Sequence, residues 1–286
     1  MKREHIRLGK VEYLNTIPVY YAWEKGLVHT NGVNVEIKTG TPSELNQQLS
    51  QGDLDISVVS CVEYAIHHRD YLLLPDLCIG AVDEVKSVLF FSQKPLNELE
   101  DTEVWITRSS LTSSTLVRFI LEEDIGISPN YRLFTLGNRK DCSPEAMLLI
   151  GDEALRERKR KRYPYVLDLA RYWREKHGLP FVFAVWCVRR EVWQEQPQGV
   201  AEVSRTLLAS RDMGRLLMDE IATLYHEQVG LSHHECLDYL KGLSFHLTEQ
   251  HVEGMKLFFK LLTERKLVPE EPKVRFVEIP PGDSNG

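Results

Sequence analysis

The stretch Val85-Lys86-Ser87-Val88-Leu89-Phe90-Phe91-Ser92 decides the predicted fold of this chain. It is strongly β-prone, and Lys94-Pro95 ends it. A second β-rich stretch, Phe181-Val182-Phe183-Ala184-Val185-Trp186-Cys187-Val188, follows about 90 residues later. A chain that leaves one α/β lobe and later returns to it needs two such crossings. The pair therefore indicates two lobes with a cleft between them, and such interfaces are favoured ligand sites.

Outward from these crossings, strand and helix signals alternate, which is typical of parallel sheets. We expect one lobe to contain residues 1–88 and 188–286, and the other residues 89–187. Periodicity alone also allows one continuous doubly wound sheet. The predicted strands are Ile6 to Val11, Val33 to Ile37, Ile56 to Ser60, Leu72 to Cys78, Glu103 to Ile106, Tyr131 to Phe134 and Ala146 to Ile150.

Helix signals are clearest where capping residues stand. Thr41-Pro42-Ser43-Glu44 predicts a helix start, and the helix is expected to end at Gly52. Further helices are expected from Val62 to His68 and from Ser113 to Leu121. From Gln198 onward the pattern is helical, and the tail from Val268 is expected to be weakly ordered.

The composition excludes several classes of protein. The 286 residues are 43% hydrophobic and 27% charged, as in globular domains, and a net charge of -7 argues against nonspecific nucleic-acid binding. No run approaches the roughly 20 apolar residues of a membrane helix. No apolar signal core follows the basic N-terminus, so we expect a cytoplasmic protein with no membrane partner. Five scattered cysteines are expected to be reduced thiols.

Polar residues follow the first strand in Tyr13-Leu14-Asn15-Thr16-Ile17-Pro18. Ligands of open α/β sheets gather at the carboxyl ends of strands, where Asn15 and Thr16 can donate and accept hydrogen bonds. The alternative is a polar turn that caps the next helix.

A hydroxyl cluster, Ser109-Ser110-Leu111-Thr112-Ser113-Ser114, lies between a predicted strand and a predicted helix. Hydroxyls beside helix N-terminal amides form a neutral cradle suited to a carboxylate. A simple N-cap would need only one of these five hydroxyl residues, so we favour the anion site.

Other candidates have simpler explanations. Ser87, inside an apolar strand, must find a partner or face a cavity, and Asp152 can cap a helix. The basic run from Arg156 to Arg162 is expected to be a solvated face. His67-His68 and His233-His234 lack metal-site spacing and are expected at the surface. With no phosphate loop, dinucleotide fingerprint or nucleophile elbow, no metal or cofactor is predicted.

Several motifs occur in a defined order along nearly the whole chain: Tyr13-Leu14-Asn15-Thr16-x-Pro18, Val85-Lys86-Ser87-Val88, Ser110-x-Thr112-Ser113, Leu148-Leu149-Ile150-Gly151-Asp152-x-Ala154-Leu155 and Gly178-Leu179-Pro180-Phe181-Val182-Phe183-Ala184-x-Trp186. Together they resemble the chorismate dehydratase family of the futalosine route to menaquinone. One departure is Asp168-Leu169-Ala170, where relatives usually have Asp-Leu-Gly.

The resemblance implies the two-lobed fold of type II periplasmic binding proteins and removal of water from chorismate, a small dicarboxylate, to give 3-[(1-carboxyvinyl)oxy]benzoate. In this family the substrate's enolpyruvyl carboxylate is thought to take the proton. The implied catalytic pair is Asn15 and Ser87. The residues expected at the substrate are Thr16, Ser110, Thr112, Ser113, Asp152 and Trp186.

Two alternatives remain open at this stage. One is the related naphthoate synthase of the same pathway, for which we expect a basic histidine in the cleft. The other is a non-enzymatic solute-binding protein that feeds a transporter, against which the missing signal sequence counts. The sequence indicates no oligomeric state.

Overall fold

A computed structural model of the chain describes residues 4–135 and 143–279. It contains two five-stranded sheets with helices packed around them, so the expected two-lobed α/β architecture is confirmed. Cys142 and the last residues of the tail, from 280 on, lie outside the described residues.

The first sheet has the strand order β2-β1-β3-β10-β4. Its strands are β1 (Glu4–Val11), β2 (Val33–Gly40), β3 (Ile56–Ser60), β4 (Tyr71–Ala81) and β10 (Phe181–Arg189). The second sheet has the order β7-β6-β8-β5-β9. Its strands are β5 (Val88–Ser92), β6 (Glu103–Thr107), β7 (Asn130–Phe134), β8 (Ala146–Ile150) and β9 (Tyr165–Asp168).

Eleven α-helices lie in the described part of the chain: α1 (Ile17–Glu24), α2 (Pro42–Gln51), α3 (Cys61–Ile66), α4 (Leu111–Phe119), α5 (Gly151–Arg160), α6 (Leu169–His177), α7 (Arg190–Glu195), α8 (Pro197–Leu216), α9 (Met218–Tyr225), α10 (His233–Gly242) and α11 (Glu249–Glu264). Short 3-10 turns form at Leu14–Thr16 and Leu96–Glu98. A π-helical turn, Ile120–Ile125, follows α4, so the helix predicted to run to Leu121 changes its hydrogen-bond pattern after Phe119.

Both sheets are mixed rather than purely parallel. In each sheet one strand runs antiparallel to its neighbours, β10 in the first and β5 in the second. These are the strands that the chain enters on crossing between the lobes. They start near the cleft, whereas β1, β3, β6 and β8 end there, so opposite polarity follows directly from the crossing.

The crossings are connections rather than strands that span both lobes. β5 begins only at Val88, so Ser87 precedes the strand instead of lying inside it as expected. β10 pairs with β3 and β4 of the first sheet along its whole length. Because β10 belongs to the first sheet, the predicted boundary between residues 187 and 188 falls one strand too late. The chain returns to the first lobe through Gly178-Leu179-Pro180, before β10 begins.

Local capping signals give helix boundaries close to those expected. Thr41 and Glu44 form a reciprocal capping box at α2, and Gly52 ends that helix with φ of 83°. Ser232 and Glu235 form a second box at α10. These caps depend on residues three positions apart, so the sequence carries the signal directly.

The described tail is more ordered than its composition suggested. Val268 and Val277 are buried, and Leu73 of β4 exchanges backbone hydrogen bonds with Arg275 and Val277 at 2.8 and 2.9 Å. Apolar side chains spaced along the tail pack against the first lobe and hold it there. The expectation of a weakly ordered segment is wrong for residues 268–279.

One histidine of the two pairs, His68, does not lie at the surface as expected. His68 is buried, with its Nε2 atom 2.9 Å from Glu270 and its Nδ1 atom accepting from the Lys273 amide. Its placement at the surface was therefore wrong, because the tail covers it. Four of the five cysteines, Cys61, Cys78, Cys187 and Cys236, are buried free thiols.

Gly214 lies where the backbones of α8 and α1 approach each other closely. A Cβ atom added at Gly214 would lie 1.9 Å from the Pro18 carbonyl oxygen. Pro18 lies in the first turn of α1, immediately after the Asn15–Thr16 turn. Gly214 thus lets α8 support the segment that ends at the cleft.

We expect Gly214→Ala to lower the free energy of unfolding by about 2 kcal/mol or more, since α1 and α8 must move apart to relieve the overlap. Gly242→Ala, in α10, is the matched control because no atom lies within 4 Å of the added Cβ. Urea denaturation of both variants measures the effect. Equal stabilities would show that the α1–α8 contact is not constrained by this glycine.

Candidate functional site

The main candidate site is a cleft between the two sheets with an empty volume of about 590 Å³, part of it open to solvent. This size lies in the range of small-molecule sites. The cleft is lined by Val11, Tyr13, Asn15, Thr16, Pro42, Val58, Val59, Ser60 and Ile79, and by Val88, Ser109, Ser110, Ser113, Ile150, Gly151, Phe183 and Ala184. Both lobes thus contribute to one mostly apolar cavity with a few polar groups.

The turn after β1 forms the wall of the first lobe. The Oδ1 atom of Asn15 is buried and has no hydrogen-bond partner. Thr16 behaves differently, because its hydroxyl donates within the turn to the carbonyl oxygens of Val11 at 2.6 Å and Tyr13 at 2.9 Å. Asn15 therefore keeps an unused polar group at the cleft, while the Thr16 proton is already engaged in shaping the turn.

Tyr13 lines the cleft and belongs to the first motif, although it was not among the expected site residues. Its ring packs against Gly151, whose φ of 58° places its backbone close to the ring. Burial raises the pKa of Tyr13, as does the charge of Asp152, while a hydrogen bond with Ser109 opposes the change. The phenol is therefore neutral near pH 7 and can donate a hydrogen bond but cannot act as a phenolate base.

Hydroxyl groups at the start of α4 form the opposite wall. Ser110 caps the helix, accepting from the Ser113 amide at 3.2 Å, and the two Oγ atoms lie 2.8 Å apart. Ser109, Ser110 and Ser113 all line the cleft. Because the first amides of a helix lack intrahelical partners, this wall suits an anionic group.

Thr112 is placed between the lobes rather than at the cavity. It is fully buried, and its hydroxyl accepts a hydrogen bond of 2.9 Å from the Val62 amide in α3. Thr112 does not line the cleft in this structure, and its expected contact with the substrate stays a prediction. Its observed contact fastens α4 to the first lobe.

Ser87 lies immediately behind the cleft, next to the lining residue Val88. It is 1% exposed, and its carbonyl oxygen accepts from the Gly151 amide at 2.7 Å. The hydroxyl of Tyr239, in α10, donates to Ser87 Oγ at 3.0 Å. Burial raises the pKa of Tyr239, so this phenol remains a donor. Ser87 is therefore held by α5 and α10 without lining the cavity itself.

Asp152 and Trp186 do not line the cleft either. The Asp152 carboxylate accepts from the Leu14 amide at 3.3 Å and lines a second cavity behind the turn with Lys10 and Arg156. Burial raises the pKa of Asp152. Trp186 is fully buried and donates to the Tyr20 hydroxyl at 2.9 Å. Both residues lie behind the wall that contains Asn15 and support that wall.

Ser60 and Phe183 were missed at the sequence level. Ser60 ends β3 and caps α3, so the rule about carboxyl ends of strands could have found it. Phe183 and Ala184 reach the cleft where the pairing of β10 with β4 shifts register between Val182 and Ala184. No sequence signal marks such an irregularity.

Asp168 fixes the first crossing and, through it, Ser87. Its carboxylate accepts from the amides of Val85 at 3.2 Å and Lys86 at 2.7 Å, and also caps α6 through the amides of Ala170 and Arg171. Burial raises the pKa of Asp168, and these backbone donors oppose the change. Lys86 has φ of 61°, which turns the chain just before Ser87.

No group of three or more His, Cys, Asp or Glu residues in ranges 4–135 and 143–279 is arranged to hold a metal ion. No helix among the same residues is long and apolar enough to cross a membrane.

Comparison with known proteins identifies the family. A family described as "Menaquinone biosynthesis" matches residues 6–264. The chain belongs to this family. A relative named chorismate dehydratase, from Thermus thermophilus, is 30% identical over 276 residues, covering 89% of this chain and 94% of the relative. The resemblance seen in the ordered motifs is thereby confirmed.

Solved structures of the same fold agree with the observed architecture. A protein from Archaeoglobus fulgidus superposes with a TM-score of 0.75 at 17% identity, over 94% of this chain and 100% of that one. The periplasmic aliphatic sulphonate binding protein SsuA from Escherichia coli gives a TM-score of 0.66 at 13% identity, covering 96% and 97% of the two chains. At these low identities the likeness concerns the fold alone, and it shows that this chain has the fold of periplasmic binding proteins.

We expect Asp168→Asn to lower the free energy of unfolding by about 2–3 kcal/mol, because an amide loses the charge-assisted bonds and presents an NH₂ group to backbone donors. Asp238→Asn is the control, since Asp238 pairs with Lys86 from an exposed position and should change stability by no more than about 0.5 kcal/mol. Urea unfolding at pH 7 compares them. Equal small losses would show that Asp168 does not hold the crossing.

Proposed function

We propose that this protein is a chorismate dehydratase that converts chorismate to 3-[(1-carboxyvinyl)oxy]benzoate. The observation that carries the proposal is the chemistry of the cleft. Its described lining residues offer hydroxyl and amide groups but include no His, Lys, Arg, Asp or Glu. Such a cavity can bind and orient a dicarboxylate, yet it offers no general base of its own. The name of the Thermus thermophilus relative supports the same reaction.

A substrate-assisted elimination fits a cleft of this kind. The enolpyruvyl carboxylate takes the proton from the ring carbon that bears the ether, the ring C–O bond to the hydroxyl breaks, and proton and hydroxyl leave as water. The ring becomes aromatic, which drives the reaction. The protein then needs to hold the substrate in reactive geometry and exclude bulk water.

Each side of the cleft has a part in this proposal. Ser110 and Ser113 hold one carboxylate at the start of α4. Asn15 donates to the departing hydroxyl or to a carboxylate through its unpartnered amide, whose O and N positions can exchange by rotation. Ser87 orients the enolpyruvyl arm after a small movement that exposes its hydroxyl. Thr16, Thr112, Asp152 and Trp186 keep these groups in place.

Two other functions are less well supported, each for a specific reason. The related naphthoate synthase was expected to have a basic histidine in the cleft, and none of the described lining residues is a histidine. A solute-binding function has only the likeness to SsuA, which concerns the fold. The expected cytoplasmic location stays a prediction.

Purified protein incubated with chorismate should produce a dehydrated aromatic product, measured by its ultraviolet absorbance and by a mass loss equal to one water. Heat-denatured protein is the control for spontaneous breakdown. Chorismate that is bound but recovered unchanged would support solute binding instead. Chorismate that is neither bound nor converted would overturn the proposal.

Asn15→Ala and Ser87→Ala should each lower kcat by about 100-fold, the usual effect of losing one positioned donor. Ser204→Ala is the matched control, because Ser204 is also buried but lies in α8. Steady-state kinetics with chorismate, and circular dichroism as a check of folding, measure these effects. Full activity of both folded variants would contradict the assignment.

A further inference from the structure

A further cavity, different from the one that Asp152 lines, adjoins the cleft. Its empty volume is about 710 Å³, and we call it the antechamber. It is lined by Pro42, Ser43, Asn46, Gln47, Ser50, Ser60, Glu63, Arg108, Ser109, Ser110 and Leu111. Four of these residues, Pro42, Ser60, Ser109 and Ser110, also line the cleft, so the two cavities adjoin at these residues. A molecule that reaches past them from the cleft would contact both cavities.

Arg108 brings a positive charge to the antechamber. It lies immediately before the hydroxyl cluster, and no carboxylate in the described part of the chain forms an ion pair with its guanidinium. The other charged lining residue, Glu63, lies 3.4 Å from the Nε2 atom of His67, and burial raises its pKa. His67 is thus the ion-pair neighbour of Glu63.

Asn46 adds a second, independent observation. Its Oδ1 atom is buried without a hydrogen-bond partner, on the side of α2 that lines the antechamber. Buried polar groups are rarely left unpaired, and Asn46 also lines the antechamber, so its amide is available to a ligand there. Rotation of the amide by about 180° presents its NH₂ group instead, which suits an anion.

We propose that Arg108 and Asn46 form a second carboxylate subsite in the antechamber, so that a dicarboxylate binds with one carboxylate at Ser110 and Ser113 and the other at Arg108. The proposal rests on the proposed function, which supplies a substrate with two carboxylates. It adds a residue that selects dicarboxylates over monocarboxylates of the same shape.

The chain geometry fits two neighbouring subsites. Arg108 and Ser110 are two residues apart, so their Cα atoms are at most about 7 Å apart. The guanidinium offers a planar pair of donors that matches a carboxylate. One short loop thus presents both anion-binding groups to opposite ends of a small molecule.

Isothermal titration with 3-(carboxymethoxy)benzoate, a stable dicarboxylate, and 3-methoxybenzoate, its monocarboxylate analogue, tests the subsite. Arg108→Gln should weaken binding of the dicarboxylate about 10-fold and leave that of the monocarboxylate within twofold. Arg108→Lys should recover part of the loss. Arg132→Gln is the matched control, because Arg132 stacks on Trp105, lines neither the cleft nor the antechamber, and should change neither affinity.

Measurements of turnover distinguish the failure of this inference from the failure of the proposed function. With chorismate, Arg108→Gln should raise KM about 10-fold with kcat within twofold, and should weaken the dependence of kcat/KM on salt. Unchanged affinities and KM in Arg108→Gln would overturn the subsite even if the wild type dehydrates chorismate. A wild type that binds the dicarboxylate through Arg108 but leaves chorismate intact would keep the subsite and overturn the dehydratase. Equal weakening of both benzoates, or no binding of either, would also overturn the subsite.

Discussion

The carboxylate of Asp168 is the interaction on which the arrangement of the two lobes depends. It stands at the end of β9 and the start of α6, shortly before the chain returns to the first lobe, and it binds the backbone where the chain first leaves that lobe. One buried side chain thus joins the first crossing to the start of α6, the helix that precedes the second crossing. Without it, two amides of the first crossing would be buried without partners, at a cost of about 1–3 kcal/mol each. The position of Ser87 and the start of β5 follow from this constraint.

The strands and the turns that follow them give the cleft its chemical character. Turns and helix starts after the strands that end at the cleft carry Asn15, Ser60 and the hydroxyls of Ser109, Ser110 and Ser113. The strands themselves contribute apolar residues, among them Val58 and Val59 in β3, Val88 in β5 and Phe183 in β10. Hydrogen-bonding groups are thereby set against apolar walls. This combination orients a small polar ligand while restricting water.

Local signals in the sequence predicted much of this architecture. Caps at Thr41 and Ser232 act within one helical turn, and the turn at Asn15 and the hydroxyl cluster at Ser110 were found because strand ends and helix starts have short signatures. The pair of crossings also predicted two lobes. All of these depend on residues close together in the chain.

Long-range contacts could not be predicted in the same way. Side chains of neighbouring helix residues point about 100° apart, so Thr112 and Ser113 face different surroundings. The motif does not indicate that Ser113 lines the cleft while Thr112 accepts a hydrogen bond from Val62. Trp186 follows the lining residue Ala184 by two positions, yet lies in the core, because β10 runs away from the cleft with shifted register. Asp168 was noted only as part of a departure from the family pattern, since its partners in the first crossing, Val85 and Lys86, lie more than 80 residues away.

The lobes are also joined around the cleft by bonds that involve backbone amides, those of Val62 to Thr112 and of Leu14 to Asp152. Each supports a wall that faces the cavity. The described conformation is therefore one in which both walls are already held in position for a ligand, which reduces the ordering that binding would require.

The tail that follows α11 has a consequence for the behaviour of the whole molecule in a crowded solution. β4 is an edge strand of the first sheet, and its free hydrogen-bonding groups could pair with a strand of another chain. Arg275 and Val277 occupy those groups at Leu73, and Ser244 and Phe245 occupy them at Gly80 and Cys78. The chain thus closes its own most apolar sheet edge, and edge-to-edge aggregation through β4 is prevented by segments that contribute nothing to the cleft.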